Sequence, residues 1–251
     1  MKIDKAKFLA VAVALLLSVT LVGGATGLFV LDESRTIKVM APTVVETRYY
    51  LVGSMNSWTE NESWRLTQSG NAYVLNNKSM AGGATFKIKK VQGSAVTWYN
   101  TMDTSIRYAQ HSISGTDQNI VVKNSGTYTI KFINNKIQLT GTVTYTFWFP
   151  SWTTASSPKY WFWCFGNNVG GEAKQVTSGI SGGGSSNTKI VATFDAAYTG
   201  VQFFRCKSAF TQTTGITWQT LYNNAWNYTQ SNISLDKTNL DYRDLQNGGA
   251  G

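Results

Sequence analysis

The amino-acid sequence predicts an all-β protein, with two antiparallel β-sandwich modules in tandem after an N-terminal apolar helix. Three observations carry this. The 251-residue chain is rich in aromatics (13%, nine Trp) and poor in charge (14%), and Gly, Ser, Thr and Asn fill much of the rest. That is the composition of short strands joined by polar turns. Apolar runs such as "RYYLV", "AYVLN", "TFKIKKV", "NIVVK", "TYTIKFI" and "KIQLTG" recur about every 10 to 15 residues, separated by turns carrying Gly, Asn or Ser. No long amphipathic helical repeat interrupts them.

Taken in chain order, residues 1–25 begin with the basic "MKIDKAK", continue as the apolar "FLAVAVALLLSVTLV" and end in small residues at Gly23 and Ala25. This is the pattern of an export signal cleaved after Ala25. The charge-free run from Phe8 to Leu31 is roughly 24 residues long, enough at about 1.5 Å each to cross a bilayer of about 30 Å. A cleaved signal and a retained anchor both remain open. Either places the rest of the chain outside the cytoplasm, secreted or on the extracellular surface, and membrane contact is expected only through this segment if it is uncleaved.

Residues 26–47 read as a linker and 48–140 as the first module. Its strands close with "NNKIQLTG", where Asn134-Asn135 makes a tight hairpin turn, and a boundary falls near Gly141. Residues 141–242 form the second module, opening with "VTYTFWFPSW" and holding a flexible loop, "SGISGGGSSN". Residues 243–251 read as a disordered tail. Alternation in "YTIKF" puts Tyr128, Ile130 and Phe132 on one face, as core. In "YWFWC" it separates Trp161 and Trp163 from Tyr160 and Phe162, so one pair faces the core and the other is free to face solvent.

The composition argues against several functions. The formal charge is +9, but the basic residues are scattered, with no clustered face of the kind nucleic acid requires. The single histidine, His111, sits in a polar turn and reads as a surface residue. No "GxSxG" elbow, phosphate loop or acid–base carboxylate pair is evident, and Asp103, Asp117 and Asp195 read as turn formers. Neither catalysis, a cofactor nor a metal site is expected. Cys164 and Cys206 are too few for a disulfide scaffold; a bridge between neighbouring strands and two buried thiols are the open alternatives. Sequons at Asn61, Asn77, Asn227 and Asn232 matter only in a host that glycosylates them.

What the chain does have is aromatic residues in polar segments. A sugar ring offers a flat, weakly apolar C–H face edged with hydroxyls, so an indole stacks on it while amides and Lys pair with the hydroxyls. Most Trp in a sandwich are core, found mid-strand among apolar neighbours. Trp58 in "SMNSWTENES" and Trp98 in "KVQGSAVTWYN" instead lie in turn-like surroundings; Trp64 fits either description.

The stretch "YYLVGSMNSW…WRLTQSGNAYVLNN…ATFKIKKVQGSAVTWYN…DQNIVVKNSGTYTIKF" resembles the immunoglobulin-like starch- and glycogen-binding sandwich modules, over about residues 48 to 140. The shared pattern is a strand leading into "G-x-x-N-x-W", a "G-x-Y" strand, an "F-K" hairpin with a second Trp, and an "N-I" strand start. The resemblance implies that Trp58 and Trp98 stack on a glucan while Lys87 and Asn119 bond its hydroxyls. The hairpin with Trp98 is longer than in that pattern, and "NTMDTSIRYAQHSISGTD" adds residues before Asn119. More faintly, "YTFWFPSW…KYWFWCFG" with "GVQFFRCKS…NNAWNYTQSNISL" is similar to small starch-binding sandwiches appended to bacterial amylases. That likeness implies Trp148 and Trp152 as stacking residues, with Trp226 as plug or platform. The expected partner is therefore an α-glucan, alongside other surface or glycan-degrading proteins. The alternative is a structural or adhesive surface protein whose turn aromatics contact other proteins.

Overall fold

The computed structural model describes residues 29–31, 37–39, 45–151, 157–183, 186–242 and 245–249; the apolar segment 1–25 lies outside them. The protein is mostly β-sheet, β-sandwich-like in its layering, as its composition and strand spacing predict. Two compact units are distinguished. The smaller comprises residues 1–47 and 92–95. Within the stretch expected to be a linker, β1 (Phe29–Leu31) and β2 (Ile37–Val39) form an antiparallel pair.

The larger unit comprises residues 48–91 and 96–251. Its first strands are β3 (Thr47–Gly53), β4 (Arg65–Ser69), β5 (Ala72–Met80), β6 (Thr85–Gln92) and β7 (Ala95–Tyr99). There follow β8 (His111–Ser114), β9 (Asn119–Val122), β10 (Gly126–Ile133) and β11 (Lys136–Phe149). β4 turns a corner: Arg65 and Leu66 pair with β3, whereas Thr67 to Ser69 pair with β5. The bend sets the β3–β6–β9–β8 strands against β5, β10 and β11, and Tyr49 meets Phe132 across the gap at 5.2 Å between ring centroids. Tyr128, Ile130 and Phe132 are buried as core, as their alternation predicts.

β11 is 14 residues long. Its first half, Lys136–Thr142, pairs with β10; its second half, Thr142–Phe149, pairs with β15 (Ser186–Asp195). β14 (Ile180–Gly183) extends the sheet beyond β15, and β19 (Asn239–Asp241) runs parallel to Thr146–Trp148. Gly141, where the sequence suggests a join between modules, thus lies inside one continuous strand. A second sheet of β12 (Lys159–Gly166), β13 (Val169–Val176), β16 (Tyr198–Cys206), β17 (Ala225–Tyr228), β18 (Ile233–Ser234) and β20 (Gln246–Asn247) packs on the far half of β11. The layers meet through aromatic rings: Phe147 with Phe162 at 4.7 Å, Phe149 with Phe203 at 3.9 Å, and Phe162 with Phe194 at 5.2 Å. Each such pair contributes about 0.5–1.5 kcal/mol beyond the burial of its area. β20 pairs with β17 through Asn247 and Gln246, so two residues of the expected disordered tail form strand.

The opposite face of the second sheet is covered too. Trp161, Phe204, Cys206 and Phe210 cluster there with Leu221 of the one described α-helix, α1 (Trp218–Asn224). The alternation read in "YWFWC" holds, with Tyr160, Phe162 and Cys164 on the main core and Trp161 on the other side. The other side meets α1 and Phe210 instead of water, because β16 supplies apolar residues to both faces. The two cysteines also lie on opposite faces. Cys164 pairs with Val201 and Cys206 with Lys159, which places them about five residues, or about 16 Å, apart along neighbouring strands. A disulfide needs Cα atoms within about 7 Å. Both are buried free thiols, and burial pushes the Cys206 thiol up to about 12.

Two glycines allow β10 and β11 to close. A Cβ on Gly141 would lie 2.3 Å from the Thr127 carbonyl and 2.9 Å from Tyr128 Cα; one on Gly126 would lie 2.4 Å from the Thr142 carbonyl. The Tyr128 ring lies over both. We therefore expect Gly141→Ala to cost about 1–3 kcal/mol by overpacking, read as a lower urea midpoint. Intact mass is expected to be the same with and without reductant, with two thiols labelled only after denaturation; labelling of the native chain at the same rate would contradict the burial.

Candidate functional site

The segment "GSMNSW" is built to turn a ring outward. β3 ends at Gly53, where a Cβ would lie 2.0 Å from the Thr85 carbonyl of β6, so only glycine lets the strands close here. A 3-10 turn follows at Ser54–Asn56. The Asn56 side chain ties it down, accepting from the Gly53 amide at 2.8 Å and donating to the Leu51 carbonyl at 2.9 Å. Ser57 and Trp58 then both take left-handed backbone angles, φ 53° and 61°. For a bulky side chain that costs about 1–3 kcal/mol. The two Asn56 bonds, at about 0.5–1.5 kcal/mol each, and the Trp58 amide donating to the Gly53 carbonyl at 2.9 Å are comparable in size. Trp58 is left 38% exposed.

Trp98 is 46% exposed on β7. The Lys89 ammonium sits 5.4 Å from its ring centroid and pairs with Glu60 at 2.6 Å. Glu60 is two residues beyond Trp58, so this pair joins the loop carrying one exposed Trp to the strand carrying the other. An ion pair of this exposure is worth about 0–1 kcal/mol. Its consequence is positional. On β6, Phe86 and Ile88 point into the core, leaving Lys87 and Lys89 on the outer face. β9 pairs with β6 through Thr85 with Val121 and Phe86 with Ile120. One further step in that register sets Asn119 opposite Lys87, and opposite residues share a face. Trp98, Lys87 and Asn119 are thereby gathered on one outer face, with the Trp58 loop tied to it by Glu60. The residues inserted before Asn119 leave that arrangement intact, since Asn100 at the end of β7 bonds the Asp117 and Gln118 carbonyls at 3.4 and 3.3 Å. Trp64 packs partly against the core, with Lys78 5.3 Å from its ring centroid.

Trp148 lies on a different stretch of sheet, on the outer side of β11. Its indole N–H donates to Asn239 Oδ1 at 3.1 Å, and Lys189 on the neighbouring strand sits 5.4 Å from its ring centroid. Trp152 lies outside the described residues. Trp226 is half-buried under the Arg205 guanidinium, 5.2 Å from its ring centroid.

Sequence reasoning missed a second cluster. The segment 100–110 crosses from the first half of the unit to the second. Met102 bridges Ile137 of β11, and the Asp103 and Ala109 amides donate to the Ile137 and Leu139 carbonyls at 2.8 Å each. Beyond them Arg107 reaches two carboxylates, Glu172 of β13 at 3.0 Å and Asp195 of β15 at 2.8 Å. Its guanidinium lies 5.0 Å from the centroid of the Tyr198 ring, and the Tyr198 hydroxyl donates to Glu172 at 2.5 Å. The only signal in the sequence is one arginine in the irregular stretch "NTMDTSIRYAQ".

Hydrogen bonds from Tyr198 and then Arg107 outweigh burial and hold the Glu172 carboxyl below its ordinary value. A carboxylate depressed in the folded state contributes stability above its unfolded pKa and loses it as pH falls through the folded one. The thermal midpoint of the wild type is therefore expected to fall more steeply than that of Glu172→Gln as the pH drops below the ordinary glutamate range. Parallel melting curves for the two proteins would remove the clasp from the account of acid stability. No protein-family model matches the chain, and no curated protein matches it.

Proposed function

We propose that the protein is a non-catalytic, extracellular binder that holds an α-glucan by aromatic stacking. The observation that carries this reading is the Trp58 turn: a loop tied down by Asn56 holds the Trp58 backbone in a costly left-handed conformation and leaves its ring 38% exposed, outside the core. Trp98 supplies a second ring, and Lys87, Lys89 and Asn119 bring donors and acceptors to the same face. An extended polymer presents repeated apolar faces and hydroxyls, which such a surface matches. The export pattern of residues 1–25 puts the chain where it would meet polysaccharide. On this reading the sheets are those of immunoglobulin-like sandwich modules, and Trp148 with Lys189 offers a further ring on the second half.

A second reading rests on Val96, 47% exposed on the strand that carries Trp98. An aliphatic beside an aromatic suits contact with another protein, as in an adhesive or structural surface protein.

Affinity electrophoresis through gels of amylopectin, glycogen, cellulose or xylan separates them. Under the glucan reading, amylopectin or glycogen retards the protein, and Trp58→Ala and Trp98→Ala each weaken retention at least about tenfold. The melting temperature should stay close to wild type, because neither ring is core. A protein retarded by no polysaccharide would shift the reading to the protein-contact surface.

A further inference from the structure

The second half carries a cleft that the aromatic surface does not use. It is a solvent-open groove between the end of β13, with the turn after it, and β15, with a volume of about 520 Å³. That lies within the roughly 300–1,000 Å³ of small-molecule sites. Polar side chains converge on it from separate elements: Arg107 from the 100–110 segment, Lys174 from β13, Thr177 and Ser178 from the turn, and Thr193 and Asp195 from β15. Val176 and Val191 give it an apolar wall.

The charges decide what it suits. Arg107 is paired with Glu172 and Asp195, and Lys174 approaches Glu172 at 3.7 Å. Two cations and two carboxylates balance, so a phosphate or carboxylate would have to displace an existing acid from Arg107. A cation would face Arg107 and Lys174. A hydroxyl both donates and accepts, and pairs with either sign without disturbing the clasp. Arg107 is already fixed by two ion pairs and the Tyr198 ring, so binding freezes little further side-chain freedom.

We infer that this cleft is a second ligand site, taking a short, neutral, hydroxyl-rich molecule such as an oligosaccharide end. Its residues are separate from those of the Trp58 surface, so it stands or falls independently of polymer binding there.

The test is calorimetric titration of the full chain with maltotriose, cellotriose, xylotriose and inorganic phosphate. Three proteins are compared: the wild type, Lys174→Ala/Thr193→Val, and Trp58→Ala/Trp98→Ala. The two cleft changes leave the Arg107–Glu172–Asp195 pairing in place, and a matching melting curve checks the fold. The expected result is that one trisaccharide binds the wild type and the Trp variant alike, and binds the cleft variant at least about tenfold more weakly. Unchanged affinity in the cleft variant would overturn the proposal, and so would binding of phosphate in place of the sugars. Saccharide binding lost only in the Trp variant would overturn it while leaving the glucan surface standing. No trisaccharide binding at millimolar concentration, in a wild type still retarded by polymer, would overturn it in the same way.

Discussion

The larger unit depends on one constraint: β11 must serve two layers at once. Its first half completes a sheet with β10 and its second half with β15, with no break in the backbone between them. Every inward side chain from Ile137 to Phe149 is buried, so a single strand feeds one continuous core. Because side chains alternate strictly, a slip of one residue would turn all of them outward and bring the outer threonines in. Close packing at the handover allows no extra atoms, which is why Gly126 and Gly141 face each other's strands beneath the Tyr128 ring.

The 100–110 segment secures the same junction from the side. Its backbone bonds β11 at Ile137 and Leu139, and Gln110 Nε2 donates to the Tyr198 and Leu235 carbonyls at 2.5 and 3.1 Å. Asn168 returns from the second half to bond the Thr104 and Ile106 carbonyls at 2.5 and 2.9 Å. The Arg107 clasp is thus the charged centre of a wider set of polar contacts. Several weak interactions between the same two bodies act together, since each holds the others in reach. The cleft inherits its rigidity from this arrangement.

On the outer face the logic is reversed. Around Trp58 the chain uses hydrogen bonds to hold an aromatic ring out of the core, and Glu60 and Lys89 join its loop to the strand bearing Trp98. Stability gains little from either device. Strain of this kind persists where the surroundings over-determine it, which is why the proposed binding surface is placed here.

By itself the sequence determined most strands of the larger unit, the faces that are core, and the local turn that exposes Trp58, but not β14, within the stretch read as a flexible loop, or β20, within the stretch read as a disordered tail. The features it determined depend on period-two alternation and on short-range bonds such as Asn56 to Gly53, which neighbouring residues settle among themselves. The grouping of Lys87 and Asn119 with the rings comes from the resemblance alone; the β6–β9 register sets these two on the outer face that carries Trp98. Tertiary structure alone decided how the halves join. A boundary near Gly141 follows from "KIQLTG" closing one run of strands and "VTYTFWF" opening another, but both belong to one strand, in which Tyr128 on the neighbouring strand keeps Gly141 small. In sequence Asp195 is a turn former, and one oxygen does accept from the Ala197 amide at 2.8 Å; the other meets Arg107, 88 positions earlier in the chain. Cys164 and Cys206 sit on adjacent strands, as a disulfide would require, yet on opposite faces. Pairings over such separations leave no periodic trace, because they follow from strand order and register, and these are set only when the sheets pack.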